Sequence, residues 1–225
     1  MKWAVLQFPG SCDERDAVRA CERSGGEARL HWHEDRDLGD ADAVVVPGGF
    51  SYGDYLRAGA IARFSPAMEA VAELAAAGGP VLGICNGFQV LCEADLLPGA
   101  LLRNESLRFL CRQVELIEAD GPIPADIERF SAHRPLSIPV KHGEGRYWAP
   151  EEMLDRLEAN GQVAYRYVPG QNPNGSARDI AGVTNEAGNV LGLMPHPEHA
   201  VDPLEGSTDG LRVFERMARL ARVAA

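Results

Sequence analysis

No apolar run in the 225-residue chain approaches the ~20 residues that a membrane-spanning helix needs. Residues 1–8 are too short and too strand-like for a signal peptide. No Gly-x-x-x-x-Gly-Lys-Ser/Thr phosphate loop occurs, so ATP chemistry would have to sit on another chain. Lysine is scarce: Lys2 and Lys141 are the only two, and arginine supplies the remaining basic charge. The net charge is −11, whereas binding to nucleic acid or an anionic membrane calls for a basic face; neither is expected as a partner. The five cysteines (12, 21, 85, 92, 111) are odd in number and form no Cys-x-x-Cys pair. They read as reduced thiols in a cytoplasmic protein and not as a disulfide framework. With 45% hydrophobic and 24% charged residues, the chain suits a soluble globular protein with a sizeable core, expected as a single domain over residues 1–225.

The first half alternates between strand and helix patterns. Strands are expected at residues 3–8, 27–33, 43–46 and 81–84, and helices at 13–24, 66–77 and 88–94. Two of the helices run into Gly-Gly pairs, at 25–26 and 78–79. Alternation at these lengths indicates βαβ units, giving an α/β fold with an open, mostly parallel, doubly wound sheet. Beyond residue 101 the pattern changes to strands at 114–118, 136–140, 163–168, 180–184 and 190–194, with one helix at 151–160. This predicts a partly antiparallel extension laid against the parallel core. A terminal amphipathic helix over 208–223 places Leu211, Phe214, Met217 and Leu220 on one face.

The chemistry is concentrated in Gly83-Ile84-Cys85-Asn86-Gly87-Phe88-Gln89. A cysteine at the end of a strand, with glycine two residues to either side, predicts a tight strand-to-helix elbow that lifts the thiol out of the sheet. The helix that follows points its first amides at the sulfur, where they can hold a developing oxyanion. Cys85 in isolation would read as a small core residue, and the other four cysteines have no such context. A nucleophilic thiol also needs a base and a group to orient that base. His196 and Glu198, in Pro195-His196-Pro197-Glu198, are the candidates, because residues i and i+2 of an extended, proline-braced segment share one side. Pro47-Gly48-Gly49-Phe50 ends another strand, and its backbone amides can approach a ligand closely. Gly49 and Asn86 are therefore the candidate oxyanion donors. The alternating His31 and His33 can in principle bind metal, but no third ligand is evident and a partly exposed strand face is expected instead.

The elbow, the Gly-Gly loop and the late His-x-Glu together resemble class I (triad) glutamine amidotransferases. Longer runs narrow the likeness: V-V-V-P-G-G-F-S-Y-G-D-Y-L-R-A-G-A-I-A from Val44, G-I-C-N-G-F-Q-V-L from Gly83, P-V-K-H-G-E-G-R-Y from Pro139 and G-L-M-P-H-P-E from Gly192. They resemble the glutaminase subunits of phosphoribosylformylglycinamidine synthases over nearly the whole chain. The resemblance implies a flavodoxin-like core and a triad of Cys85, His196 and Glu198 that hydrolyses glutamine through a thioester. It also implies glutamine contacts from Gln89 and from the backbone around Lys141, Gly143 and Glu144. No metal or other cofactor is implied on this chain. ATP and magnesium would belong to a separate synthetase subunit, joined through a small bridging subunit, with the aromatic loop from Phe50 to Tyr55 as a docking surface.

Two departures from the family pattern stand out. Ser11 precedes Cys12 where the family commonly has Asn, and His199 stands where it usually has Arg. Two other readings remain open at this point. One is a cysteine hydrolase of another class on a similar elbow, although such proteins often place His directly after the nucleophile, where this chain has Asn86. The other is a non-catalytic scaffold, which predicts loss of a triad member.

Overall fold

The computed structural model describes residues 1–118 and 134–224. Strands β1 (Lys2–Gln7), β2 (Glu27–Trp32), β3 (Ala43–Val46) and β4 (Val81–Ile84) alternate with helices α1 (Glu14–Arg23), α2 (Pro66–Ala76) and α3 (Asn86–Glu93). There follow β5 (Ala100–Leu102), β6 (Leu110–Glu118), β7 (Leu136–His142), β8 (Arg146–Trp148), α4 (Glu151–Ala159), β9 (Val163–Tyr167), β10 (Ile180–Thr184), β11 (Val190–Leu193) and α5 (Leu211–Ala224). Nine strands form one sheet in the order β2-β1-β3-β4-β11-β10-β9-β6-β7, and β5 pairs with β8 in a separate ribbon. Among the described residues no helix is long and apolar enough to cross a membrane.

The first five strands in that order are parallel, and every pairing beyond β11 is antiparallel. The alternation leaves only β10 and β6 running against the rest, so β7 ends at the same edge of the sheet as β3, β4 and β11. The parallel register also assigns faces. Val5, Val45 and Leu82 are level neighbours and share a face with Trp3, which packs edge-to-face on Phe214 of α5. The opposite face carries Val46 and Gly83, against which α3 closes. Covered on both sides, β3 and β4 are buried at every residue. This is why their sequences are unbroken apolar runs.

The expected partly antiparallel extension is present; it continues the same sheet through β11 and curls back. The curl is closed by a bond from the His196 amide to the Pro139 carbonyl of β7, at 2.8 Å. One expectation needs correction: His31 and His33 are not on a partly exposed face. Both are buried: His31 Nε2 lies 2.6 Å from the Asp35 carbonyl, and His33 Nδ1 lies 2.9 Å from the Tyr52 hydroxyl. The three-residue strands β5 and β8 have no counterpart among the expected elements, being too short to display a period.

Candidate active site

The order β2-β1-β3-β4 reverses its winding between β1 and β3, which is where open α/β sheets bind ligands. The loops after these two strands meet there, with the amides of Cys12 and Asp13 both donating to the Gly48 carbonyl (3.2 and 3.3 Å).

Cys85 sits between β4 and α3 at φ 50, ψ −104, a conformation costly for any residue with a side chain. It is held from both sides, its amide donating to Leu193 of β11 (2.8 Å) and its carbonyl accepting from Gln89 (3.2 Å). The flanking glycines are there because nothing larger fits. A Cβ on Gly87 would lie 1.8 Å from the Val46 carbonyl oxygen, and one on Gly83 would lie 2.4 Å from Leu91. Cys85 is 5% exposed, and its sulfur lies 3.8 Å from the Lys141 carbonyl.

His196 and Glu198 are both buried, and Nδ1 lies 2.5 Å from Glu198 Oε1. The expected side-by-side arrangement on an extended segment is replaced by a tight 3-10 turn over Pro197–His199. That turn brings the two side chains into contact, closer than the separation of i and i+2 on a strand. With Nδ1 engaged, Nε2 is buried and makes no hydrogen bond among the described residues. Burial opposes charge on this imidazole, but Glu198 and then Cys85 outweigh it and raise its pKa to about 10.

The remaining expected residues form a connected ring beside the thiol. Asn86 Oδ1 accepts from the Ser51 amide (3.0 Å), while its Nδ2 donates to Gln89 Oε1 (2.9 Å) and Asp54 Oδ1 (3.3 Å). Gln89 Nε2 donates to the Glu144 carbonyl (2.6 Å), and the Gly143 carbonyl accepts from Asn104 (3.0 Å). Gln89 therefore ties the elbow helix to the loop after β7. Among the described residues the Gly49 amide makes no hydrogen bond: the bridge between Ser11 and Gly49 is carried by Cys12 N to Gly48 O and Phe50 N to Gly10 O. The Asn86 amide, in the first turn of α3, has no acceptor within the helix. In the aromatic loop Phe50, Tyr55 and Leu56 are exposed, whereas Tyr52 turns inward onto His33.

Sequence reasoning misses four polar neighbours. Asp54 is half-buried; burial, then the nearby Glu144 charge, raises its pKa to about 6. His142 is buried at the end of β7, its Nδ1 3.0 Å from Asn104 Oδ1, and burial lowers its pKa to about 4. Asn104 is fully buried beneath them. Asp13 reads in sequence only as the start of a helix, yet it is buried and hydrogen-bonded to Lys141. Its one available signal is its place in the loop after β1, at the same sheet edge as the elbow. One donor atom from each of Asp13, His196, Glu198 and His199 falls within 4.8 Å of the others, a spacing compatible with a metal ion. The Lys141 ammonium is already bound at Asp13, so a divalent cation would have to displace it.

The CobB/CobQ-like glutamine amidotransferase domain matches residues 1–216. A putative GMP synthase component from Thermoplasma acidophilum shares the fold, at 13% identity and a TM-score of 0.65, over 99% of this chain and 94% of that one. A chain in the structure of PurLQS from Thermotoga maritima is 43% identical, with a TM-score of 0.85 and 97% coverage of each chain. The PurQ subunits of phosphoribosylformylglycinamidine synthase from Streptomyces avermitilis and Mycobacterium tuberculosis are each 58% identical, over 219 and 211 residues, with 93% of both chains covered. The chain belongs to this PurQ family of glutamine amidotransferases.

Proposed function

We propose that the protein hydrolyses glutamine to glutamate and ammonia. The ammonia passes to an ATP-dependent synthetase that converts formylglycinamide ribonucleotide to formylglycinamidine ribonucleotide in purine biosynthesis. The observation that carries this reading is the disposition of His196: Nδ1 lies on Glu198, Nε2 has no partner among the described residues, and Cys85 on its strained elbow is one of the groups that raise the pKa of the ring; family membership supplies the substrate.

In the reaction, Cys85 Sγ attacks the side-chain carboxamide carbon with its proton already held on His196 Nε2, because the raised pKa keeps the ring protonated. Glu198 orients the ring through Nδ1 and stabilises this imidazolium. The uncommitted Gly49 and Asn86 amides face the developing oxyanion, each contributing roughly 3 kcal/mol. The imidazolium then gives its proton to the departing nitrogen, which leaves as ammonia. Water, deprotonated by the same imidazole, attacks the γ-glutamyl thioester; glutamate leaves and the thiol is restored. Gln89 and the backbone at Lys141, Gly143 and Glu144 hold the amino-acid end of glutamine.

The single continuous core supports one domain over residues 1–225, working in the cytoplasm. ATP and magnesium sit on the synthetase, and a small bridging subunit completes the complex. Phe50, Tyr55 and Leu56, exposed beside the elbow, are the apolar part of the docking face. The test is Cys85→Ala in the reconstituted complex. Glutamine-dependent synthesis should fall by at least about 10^4-fold, while synthesis from added ammonia is retained. A variant with unchanged glutamine use would make the chain a scaffold.

A further inference from the structure

Asp13 has no place in the scheme above, yet it is one of the most constrained side chains in the molecule. It is 3% exposed, and its backbone amide is fixed on Gly48. Oδ1 accepts from Lys141 Nζ and lies 3.2 Å from His199 Nε2. Oδ2 lies 3.6 Å from Nδ1 of His196. That separation is too long for a hydrogen bond but short for two facing charges in a site closed to water. The wall beside them is the backbone of Gly48. A Cβ there would lie 2.4 Å from Asp13 Oδ2 and 2.8 Å from His196 Cε1, so carboxylate and ring share one slot.

Lys141 and His199 set the orientation of this carboxylate. The Lys141 ammonium bonds Asp13 and lies 3.0 Å from His199 Nε2. Nε2 can accept from the ammonium or donate to the carboxylate, but not both at once, and either choice leaves Oδ2 directed at His196. Burial would raise the Asp13 carboxyl. His199, the His196 charge and Lys141 outweigh it and hold the group well below the ordinary carboxylate range. Coupling between two sites is reciprocal. If the charge on His196 favours an ionised Asp13, then ionised Asp13 favours a charged His196.

We propose that Asp13 is a positioning residue: a second carboxylate beside Glu198 that holds the His196 ring in its slot and stabilises its protonated form, with Lys141 and His199 as its clamp. It touches no reacting atom. It acts through His196, whose imidazolium must survive long enough to protonate the departing nitrogen. The proposal deepens the glutaminase reading and rests on it for that step.

The experiment follows the imidazole signals of the full chain, labelled with 15N-histidine, through a pH titration, alongside glutamine hydrolysis. In Asp13→Asn the apparent midpoint of His196 should fall by about one unit, and kcat by about tenfold to a hundredfold, with KM within about twofold. Asp13→Glu should recover most of the rate. Lys141→Met removes a cation from the same cluster and should move the midpoint upward. A loosened loop would not produce shifts of opposite sign. An unmoved His196 midpoint in Asp13→Asn overturns the proposal, as does a loss expressed in KM with kcat kept. Should Asp13→Asn not fold, an unmoved midpoint in Lys141→Met overturns it instead. If the wild type hydrolyses no glutamine, the glutaminase reading fails, and the titration still decides whether Asp13 is coupled to His196.

Discussion

Strands β3 and β4 of the parallel half are buried at every residue, whereas β6 in the antiparallel half exposes most of its length. The contrast continues in the site. From the parallel half come the strained elbow, the Gly-Gly loop and the anchors that hold Cys85. The antiparallel half returns through β7 to supply Lys141, His142 and the glycine loop after them. The first half thus fixes the geometry of the thiol, and the second packs beside it, with the Lys141 carbonyl 3.8 Å from the sulfur. Besides the β10–β11 pairing, the backbone bond from His196 to Pro139, the Asp13–Lys141 pair and the Gln89 amide on Glu144 join them.

This division predicts where a small change does most harm. Gly87→Ala puts a methyl into the Val46 carbonyl, and backbone on both sides cannot yield. We expect about 3 kcal/mol or more of lost stability and loss of glutaminase activity together, read by chemical denaturation and by glutamate release. Ordinary stability in this variant would mean the elbow is more pliant than the rigid half requires.

The antiparallel half should fail by a different route, acid. His142 has its pKa lowered to about 4 by burial, then by the charge on His196. An unfolded histidine takes up its proton near 6.5. Between these values the unfolded chain binds more protons, so stability falls as pH drops from about 6.5 to about 4, by up to about 3 kcal/mol. Denaturation midpoints at pH 7, 5.5 and 4.5 check this, and His142→Gln should flatten the decline. An equal decline in that variant would move the acid sensitivity elsewhere.

The same contrast explains how much can be read from the sequence. Strands at 43–46 and 81–84 are located to the residue, because burial on both faces demands uninterrupted apolar runs bounded by glycine and proline. The elbow and the His-x-Glu pair are legible because their chemistry is local: a few residues fix the turn. Even so, the pair is presented by a 3-10 turn in place of the expected extended segment, since two prolines restrict φ without choosing between those forms. Asp13, His142 and Asn104 are not legible. Their roles depend on β7 curling round to meet the loop after β11, a contact between segments more than fifty residues apart. Gln89, which the resemblance implies as a glutamine contact, is bonded through its amide to Asn86 and Glu144, links that only the folded chain reveals.

The central claim is that the sulfur on this bent turn is the group that takes the acyl portion of glutamine. The most direct measurement is mass spectrometry of the protein after exposure to 6-diazo-5-oxo-norleucine, an electrophilic glutamine analogue. The account predicts one adduct of the size of the analogue without its nitrogen, mapped to Cys85 and blocked by excess glutamine. An adduct on Cys12 or Cys111, the two exposed thiols, with Cys85 unmodified, would contradict it.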